Sequence, residues 1–344
     1  MIEMSLPQSE PVMLPVRSFG QQARSVAGYS LLTALMIVTP MLPVFVPAAL
    51  FHCGLRNGRR AAWVTAVLAL LPAFALAAFT GGSAELANLA WSQVAAIALA
   101  VMFPSLAALP LVERRESFGR VLTFLLAGSA IGLVATELAA RAALSFSPYA
   151  AEAALLRVSN ASTLQFYRDS GIPPDALRMM ERWTSYSTVL MPGFMLILLT
   201  LVFILSLLML GRLQAWRDVA NRQVPAATGT YLFRNFALPD VVLFAFVLGG
   251  LTPLASGMLQ KVAANTLAVV AFLFILQGVA IYRFLLVAMG AGFAGTMLGW
   301  MLLVFLTLTG VGPLLLGVVG LFDPFFDFRH FKKRKDDSHE SHSD

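Results

Sequence analysis

The chain has 344 residues, 58% hydrophobic and only 12% charged, with a mean hydropathy of +0.78. A soluble domain of this size carries about a quarter charged residues and has no core large enough to hide so much apolar surface, so the composition excludes a water-soluble globular protein and requires lipid as solvent. The net charge of +6 does not point to nucleic acid. Most cations fall in four short clusters beside apolar runs: Arg56, Arg59 and Arg60; Arg114, Arg115 and Arg120; Arg212, Arg217, Arg222 and Arg234; and Arg329, Lys332, Lys333, Arg334 and Lys335. That is the positive-inside pattern of a multi-pass membrane protein, with the lipid bilayer as its partner and no nucleic acid. Cys53 is the only cysteine, so no intrachain disulfide is possible.

The predicted class is all-α, a polytopic helical bundle of about eight transmembrane helices. Residues 1–27 read as a polar N-terminal segment without a secretory signal. The transmembrane domain is expected over 28–326. Its first apolar run, about 28–51, contains Pro40, Pro43 and Pro47 and is therefore broken or kinked. Runs at about 61–79, 89–111 and 119–146 follow, each near the ~20 apolar residues that a helical span needs.

Residues 147–186 are polar with balanced charge and read as an extramembrane insertion. Pro173-Pro174-Asp175 starts a short amphipathic helix on the membrane surface, with Leu177, Met180 and Trp183 or Thr184 on one face. Spans at about 187–211, 239–259 and 262–284 flank a cytosolic connection at 212–238. The last apolar region, about 286–322, is too long for one ordinary helix. Three spans after residue 238 would leave the C-terminus outside, against its Lys-rich tail. Either a turn at Thr309-Gly310-Val311-Gly312-Pro313 returns that tail, 327–344, to the cytosol as a basic disordered segment, or one long tilted helix spans there and an earlier segment is miscounted.

Glu137 and Arg141 are the only acid–base pair deep in an apolar run, at i, i+4 on one helix face. They suit either a ligand group or a self-neutralised pair facing other helices. Asn265 and Gln277, twelve residues apart in one run, suit either a small polar ligand or interhelical hydrogen bonds. The string Gly290-Ala291-Gly292-Phe293-Ala294-Gly295 matches a dinucleotide fingerprint but lacks the strand and downstream acid that the chemistry needs. Ala291, Gly295 and Gly299 instead read as a close-packing face, with Gly128 and Gly132 as a weaker copy. His52 and Cys53 are adjacent without further metal ligands nearby, and His339 and His342 lie in the tail. Asn160-Ala161-Ser162 is a formal glycosylation sequon. No metal site, cofactor or enzymatic motif is read here. Asp323 and Asp327, with Pro324 breaking the helix between them, read as interface anchors that cap or pair with Arg329, beside Lys332, Lys333, Arg334 and Lys335.

Several of these residues carry a family resemblance. They are the proline-rich first run leading into Gly54-Leu55-Arg56-Asn57-Gly58, Phe233-Arg234-Asn235-Phe236 before Pro239, Asn265, Gln277-Gly278, and the terminal Gly-Leu-Phe-Asp-Pro-Phe-Phe-Asp-Phe-Arg of 320–329. The chain resembles the YybS-like bacterial membrane proteins over about 25–330. These are similar in fold to the substrate-binding S-components of energy-coupling-factor transporters and, more remotely, to MreD. The resemblance implies a helical bundle able to hold a small ligand near its outer face. Two functions are therefore expected to compete: an uptake subunit that binds a small molecule through Glu137, Arg141, Asn265 and Gln277, and a non-transporting scaffold for envelope or membrane-associated machinery.

Overall fold

The computed structural model of the chain describes residues 19–39, 42–80, 84–211, 232–326 and 328–329. The described residues are almost entirely helical, with no strand among them. The broken first run becomes α1 (Phe19–Val38), a short 3-10 turn (Pro43–Phe45) and α2 (Val46–Asn57), with Pro43 and Pro47 at helix starts, where a missing N–H costs nothing. Gly58, at φ 90°, turns the chain into α3 (Arg59–Thr80). Next come α4 (Ala84–Ala96), a π-helical segment (Ile97–Met102) and α5 (Phe103–Glu113), which run on as one long element.

Ser117 caps α6 (Phe118–Leu144), its hydroxyl accepting the Arg120 N–H. Ser145 in the left-handed region ends it. Ser147 then caps α7 (Pro148–Asp169) by accepting the Ala150 N–H at 3.1 Å. Gly171 (φ 77°) turns into α8, which starts at Pro174 and runs 37 residues to Leu210. After the undescribed 212–231 come α9 (Val241–Gly250), α10 (Gly257–Ala288), α11 (Phe293–Leu308) and α12 (Val311–Phe326).

Among the described residues, five helices are long and apolar enough to cross a membrane: Arg59–Phe79, Leu86–Glu113, Phe118–Leu144, Pro174–Leu210 and Gly257–Ala288. A sixth results if α11 and α12, bent by 108° at their junction, count as one span. The helical membrane class is as expected from the sequence, but the number of long apolar helices falls below the expected eight. The run at 239–259 is interrupted at Leu251–Ser256, leaving α9 only ten residues, ~15 Å at 1.5 Å per residue and half a bilayer core. The short amphipathic surface helix is also revised. Nothing stops the helix between Pro174 and Pro192, so the polar stretch is the first part of α8 itself. Ala176, Leu177, Met180 and Thr184 are its half-buried residues, while Trp183 stays 65% exposed.

Packing is of the membrane type. Along α3, Ala62, Ala66, Ala69, Ala73 and Ala77 are buried, while Trp63, Val67, Leu71 and Phe79 point outward. Small residues inside and large ones outside is the reverse of a water-soluble helix, and it lets backbones approach where lipid solvates the large side chains. The core gathers Leu50, Phe51, Leu109, Leu122, Leu125, Phe203, Leu207 and Phe236 from α2, α5, α6, α8 and the loop before α9.

Three of the arginine-bearing segments meet at one end of the bundle. Arg59 pairs with Glu113, joining the α2–α3 turn to the end of α5. Phe118 at the start of α6 meets Phe236 edge-to-face, and Arg329 donates to the Phe236 carbonyl. The described end of the C-terminal segment therefore lies at the same end as the arginine turns.

Candidate functional site

The intramembrane polar side chains form joints between helices, and the first is centred on Asn265. Pro192 has no N–H, so the Thr188 carbonyl one turn earlier in α8 loses its helical donor. The Tyr149 hydroxyl donates to that carbonyl at 3.1 Å. One residue on, the Asn265 carboxamide from α10 reaches into the same turn. Its Oδ1 accepts the Gly193 N–H at 2.6 Å, and its Nδ2 donates to the Val189 carbonyl at 2.9 Å. Gly193 and Val189 are an i, i−4 pair, so Asn265 bridges the backbone groups beside the proline. Its second Nδ2 hydrogen goes to the Lys261 carbonyl at 2.7 Å. Gly193 permits this approach: a Cβ there would lie 2.8 Å from Asn265 Oδ1.

The second joint lies twelve residues along α10, ~18 Å away. Gln277 is 1% exposed. Its Oε1 accepts the Leu238 N–H at 3.2 Å, and its Nε2 donates to Asp323 Oδ2 at 2.9 Å. Asp323 Oδ1 has no hydrogen-bond partner among the described residues. Arg329 lies 3.9 Å from Asp323 Oδ2 and donates to the Phe236 carbonyl at 2.5 Å. Glycines bring the backbones together here. A Cβ on Gly278 would lie 2.0 Å from the Leu316 carbonyl oxygen, and one on Gly320 would lie 2.0 Å from that of Phe274. Gly119 plays the same part against Ala237.

The third joint is the α6–α7 corner. Arg141 Nε donates to Glu137 Oε1 at 2.6 Å, and the Ser147 hydroxyl donates to the same oxygen at 2.5 Å. Glu137 Oε2 accepts the Tyr149 N–H at 3.1 Å. The carboxylate thus sits on the first turn of α7, where unpaired N–H groups and the helix dipole favour negative charge. Tyr149 links this corner to the first joint, through its N–H on Glu137 and its hydroxyl on Thr188.

The four residues read as ligand groups therefore do not converge. Glu137, Arg141 and Asn265 are connected only through Tyr149 and α8, and Gln277 belongs to a separate joint. Two surface grooves are lined by other residues. One runs along α8 past Asp175, Arg178, Met179, Arg182, Trp183 and Tyr186, the other along α11 past Met297, Trp300, Met301, Val304, Phe305 and Leu308.

The glycine faces divide. Gly128 and Gly132 pack as expected: a Cβ on Gly132 would lie 2.2 Å from the Leu99 carbonyl oxygen, and one on Gly128 3.0 Å from Pro104. Gly132 faces the π-helical segment, whose Ala100 carbonyl accepts the Ser129 hydroxyl at 2.6 Å, and Gly128 faces the start of α5. On α11 only Gly299 packs, beneath Tyr282 and Leu286. Gly295 meets nothing but the Cβ of Ala291 on its own stretch. The expected Ala291–Gly295–Gly299 face is thus reduced to one residue, because α11 is peripheral and Leu303 is its single buried residue.

The C-terminal reading also changes. Pro324 lies within α12, which continues to Phe326, so it does not break the helix. Only one hydrogen bond is lost so close to the helix end. Asp323 is buried at 9% exposure within a joint, where it keeps the expected pairing with Arg329 at 3.9 Å. Asp327, Lys332, Lys333, Arg334, Lys335, His339 and His342 lie outside the described residues. His52 Nδ1 is 2.5 Å from the Tyr29 hydroxyl, and Cys53 Sγ is 3.3 Å from Thr65 Oγ1. Asn160 of the sequon is engaged with Ser187 and the Thr184 carbonyl.

Sequence reasoning missed Tyr149, Gly193, Gly278 and Gly320 as joint residues. The Pro192-Gly193 pair in an apolar run was the available signal for the first, since it announces orphaned backbone groups. Comparison with curated proteins and with solved structures found no match. The family model described as Predicted membrane protein (DUF2232) matches residues 29–324, and the chain belongs to that family of multi-pass membrane proteins.

Proposed function

We propose that this protein is a non-transporting, non-enzymatic scaffold of the bacterial cytoplasmic membrane, with its arginine-rich end in the cytosol. One observation carries the reading: Asn265 and Gln277, the most ligand-like groups in the spans, are already hydrogen-bonded to backbone or to Asp323. A transport subunit needs polar groups that a substrate can reach, and amides whose hydrogen-bonding atoms are already taken up by neighbouring segments serve packing instead. The cytosolic assignment rests on the arginine clusters at one end. The alternative, an uptake subunit like the energy-coupling-factor S-components, is supported by the resemblance of the terminal motif and by no convergence of polar groups.

The test is native mass spectrometry of the tagged full-length chain, transferred from its own membranes into nanodiscs. The scaffold reading expects a bound protein partner or the chain alone, without a stoichiometric small molecule. A stoichiometric metabolite, or stable copurification with a pair of ATPase subunits, would overturn it.

A further inference from the structure

Polar contacts staple the start of α1 to the end of α2. Asn57 Nδ2 donates to Ser25 Oγ at 3.0 Å, and Gln22 Nε2 donates to the Asn57 carbonyl at 3.3 Å. One turn further in, the Tyr29 hydroxyl lies 2.5 Å from His52 Nδ1, with the two rings edge-to-face. The paired positions advance along α1 as they recede along α2, so the two helices are antiparallel. Asn57 adjoins Gly58 and Arg59, and the pairing of Arg59 with Glu113 belongs to the arginine end of the bundle. The first turns of α1 and the last turn of α2 therefore lie at that same end.

The legs are too short to reach the other side. From Ser25 to Val38, α1 advances ~20 Å, and α2 returns over twelve residues, ~18 Å, against a hydrocarbon core of ~30 Å. Neither helix is among those long and apolar enough to cross a membrane, and Gln21, Gln22, Arg24 and Ser25 occupy the first turns of α1. The turn between the legs lies inside the bundle. Its Val44 carbonyl accepts the hydroxyl of Ser206, a fully buried residue in the apolar stretch of α8, at 3.3 Å. Ser206 is ~20 Å along α8 from the Gly193 turn towards its far end. Irregular backbone at membrane depth is tolerated only where protein satisfies it. Here the Leu42 N–H donates to the Thr39 carbonyl at 3.1 Å, the Phe45 N–H donates to the Leu42 carbonyl at 2.9 Å, and Pro43 has no N–H to satisfy. Residues 42–45 are half-buried against their neighbours.

We propose that α1 and α2 form a re-entrant hairpin, which enters the bilayer at the arginine end, turns at residues 42–45 against α8 and leaves at the same end without crossing. Arg329 also lies at that end, through the Phe236 carbonyl, so the described chain starts and finishes on one side of the membrane. The inference rests on contacts within the bundle and does not depend on the scaffold reading.

The test is labelling of single cysteines in the full chain with a membrane-impermeant maleimide, applied to intact cells and to inverted membrane vesicles. The native Cys53 is buried, so the parent chain serves as the blank. Ala23→Cys in α1, Arg60→Cys at the start of α3 and Ser170→Cys at the α7–α8 turn replace exposed residues, and Thr39→Cys replaces a half-buried one just before the turn. Ala23→Cys and Arg60→Cys are expected to label from one side and Ser170→Cys from the other. Thr39→Cys is expected to label from neither side until detergent dissolves the membrane. Any other distribution overturns the proposal. Ala23→Cys labelling with Ser170→Cys would mean that the first run crosses once, and Thr39→Cys labelling from the Ser170 side would mean that both legs cross. Thr39→Cys labelling from the Arg60 side would place the hairpin outside the bilayer.

Discussion

Asn265 and Gln277 sit on the same helix and carry the same amide chemistry, yet they solve different problems. Asn265 supplies a donor and an acceptor to neutral backbone groups beside a proline in α8. Gln277 holds a loop N–H on one side and a buried carboxylate on the other. The first joint involves no buried charge, so its loss leaves dipoles unpaired. The second fixes Asp323, whose other oxygen has no partner among the described residues, so its loss leaves Arg329, 3.9 Å away, as the partner of a buried carboxylate. Intramembrane polar residues of one type therefore differ in importance according to whether their partner is neutral or ionised.

The largest effect is expected at the backbone crossing beneath the second joint. Gly278→Ala places a methyl group 2.0 Å from the Leu316 carbonyl, where only movement of α10 against α12 relieves the clash. A loss of about 3 kcal/mol is expected, read as a lowered midpoint in thermal unfolding of the nanodisc-embedded chain. Gln277→Ala comes next, at about 2–3 kcal/mol, because it removes a donor from a buried carboxylate. Asp323→Asn keeps an acceptor for Gln277 without the charge and should cost about 1 kcal/mol or less. Equal losses for these two variants would break the comparison, since the charge would then not be what distinguishes the joints.

Asn265→Ala should cost about 1 kcal/mol, the usual scale for an interhelical hydrogen bond in a membrane. If it matched Gln277→Ala, backbone repair beside Pro192 would rank with fixing a buried charge.

The smallest effect concerns pH. Burial, and then the nearby Glu137 carboxylate, hold the Glu152 carboxyl above the ordinary carboxylate range. A carboxyl raised in the folded state favours folding when protonated. That contribution is complete below the ordinary range and is lost as pH rises through the raised value. Hydrogen exchange in α7 should therefore quicken over that window in the wild type, and Glu152→Gln should flatten the profile. A profile unchanged by the substitution would assign the pH dependence to another group.

Much of the architecture is legible in the sequence because the hydrocarbon core sets a length and an apolarity that α3, the continuous element from α4 to α5, α6 and α8 all meet. The limits of legibility are equally physical. Pro324 reads as a helix breaker, but one residue's lost hydrogen bond two positions from a helix end is cheap, and α12 continues. The small residues at Ala291, Gly295 and Gly299 look like a packing face, yet whether a helix faces them depends on where α11 lies, which local spacing does not encode. Asn265 is visible as an amide in an apolar run, but its partners at Val189 and Gly193 lie more than seventy residues away. The sequence raises Glu137, Asn265 and Gln277 and leaves their roles open, because a ligand group and a helix joint use the same side chains.

The claim that these residues are joints is tested most directly by local hydrogen exchange in Asn265→Ala and Gln277→Ala, each as the full chain in nanodiscs. Asn265→Ala should speed exchange around residues 188–193 of α8 by about tenfold or more while leaving 236–238 unchanged, and Gln277→Ala should do the reverse. Unchanged protection at both places, together with loss of a bound small molecule, would contradict the account and return both amides to a ligand site.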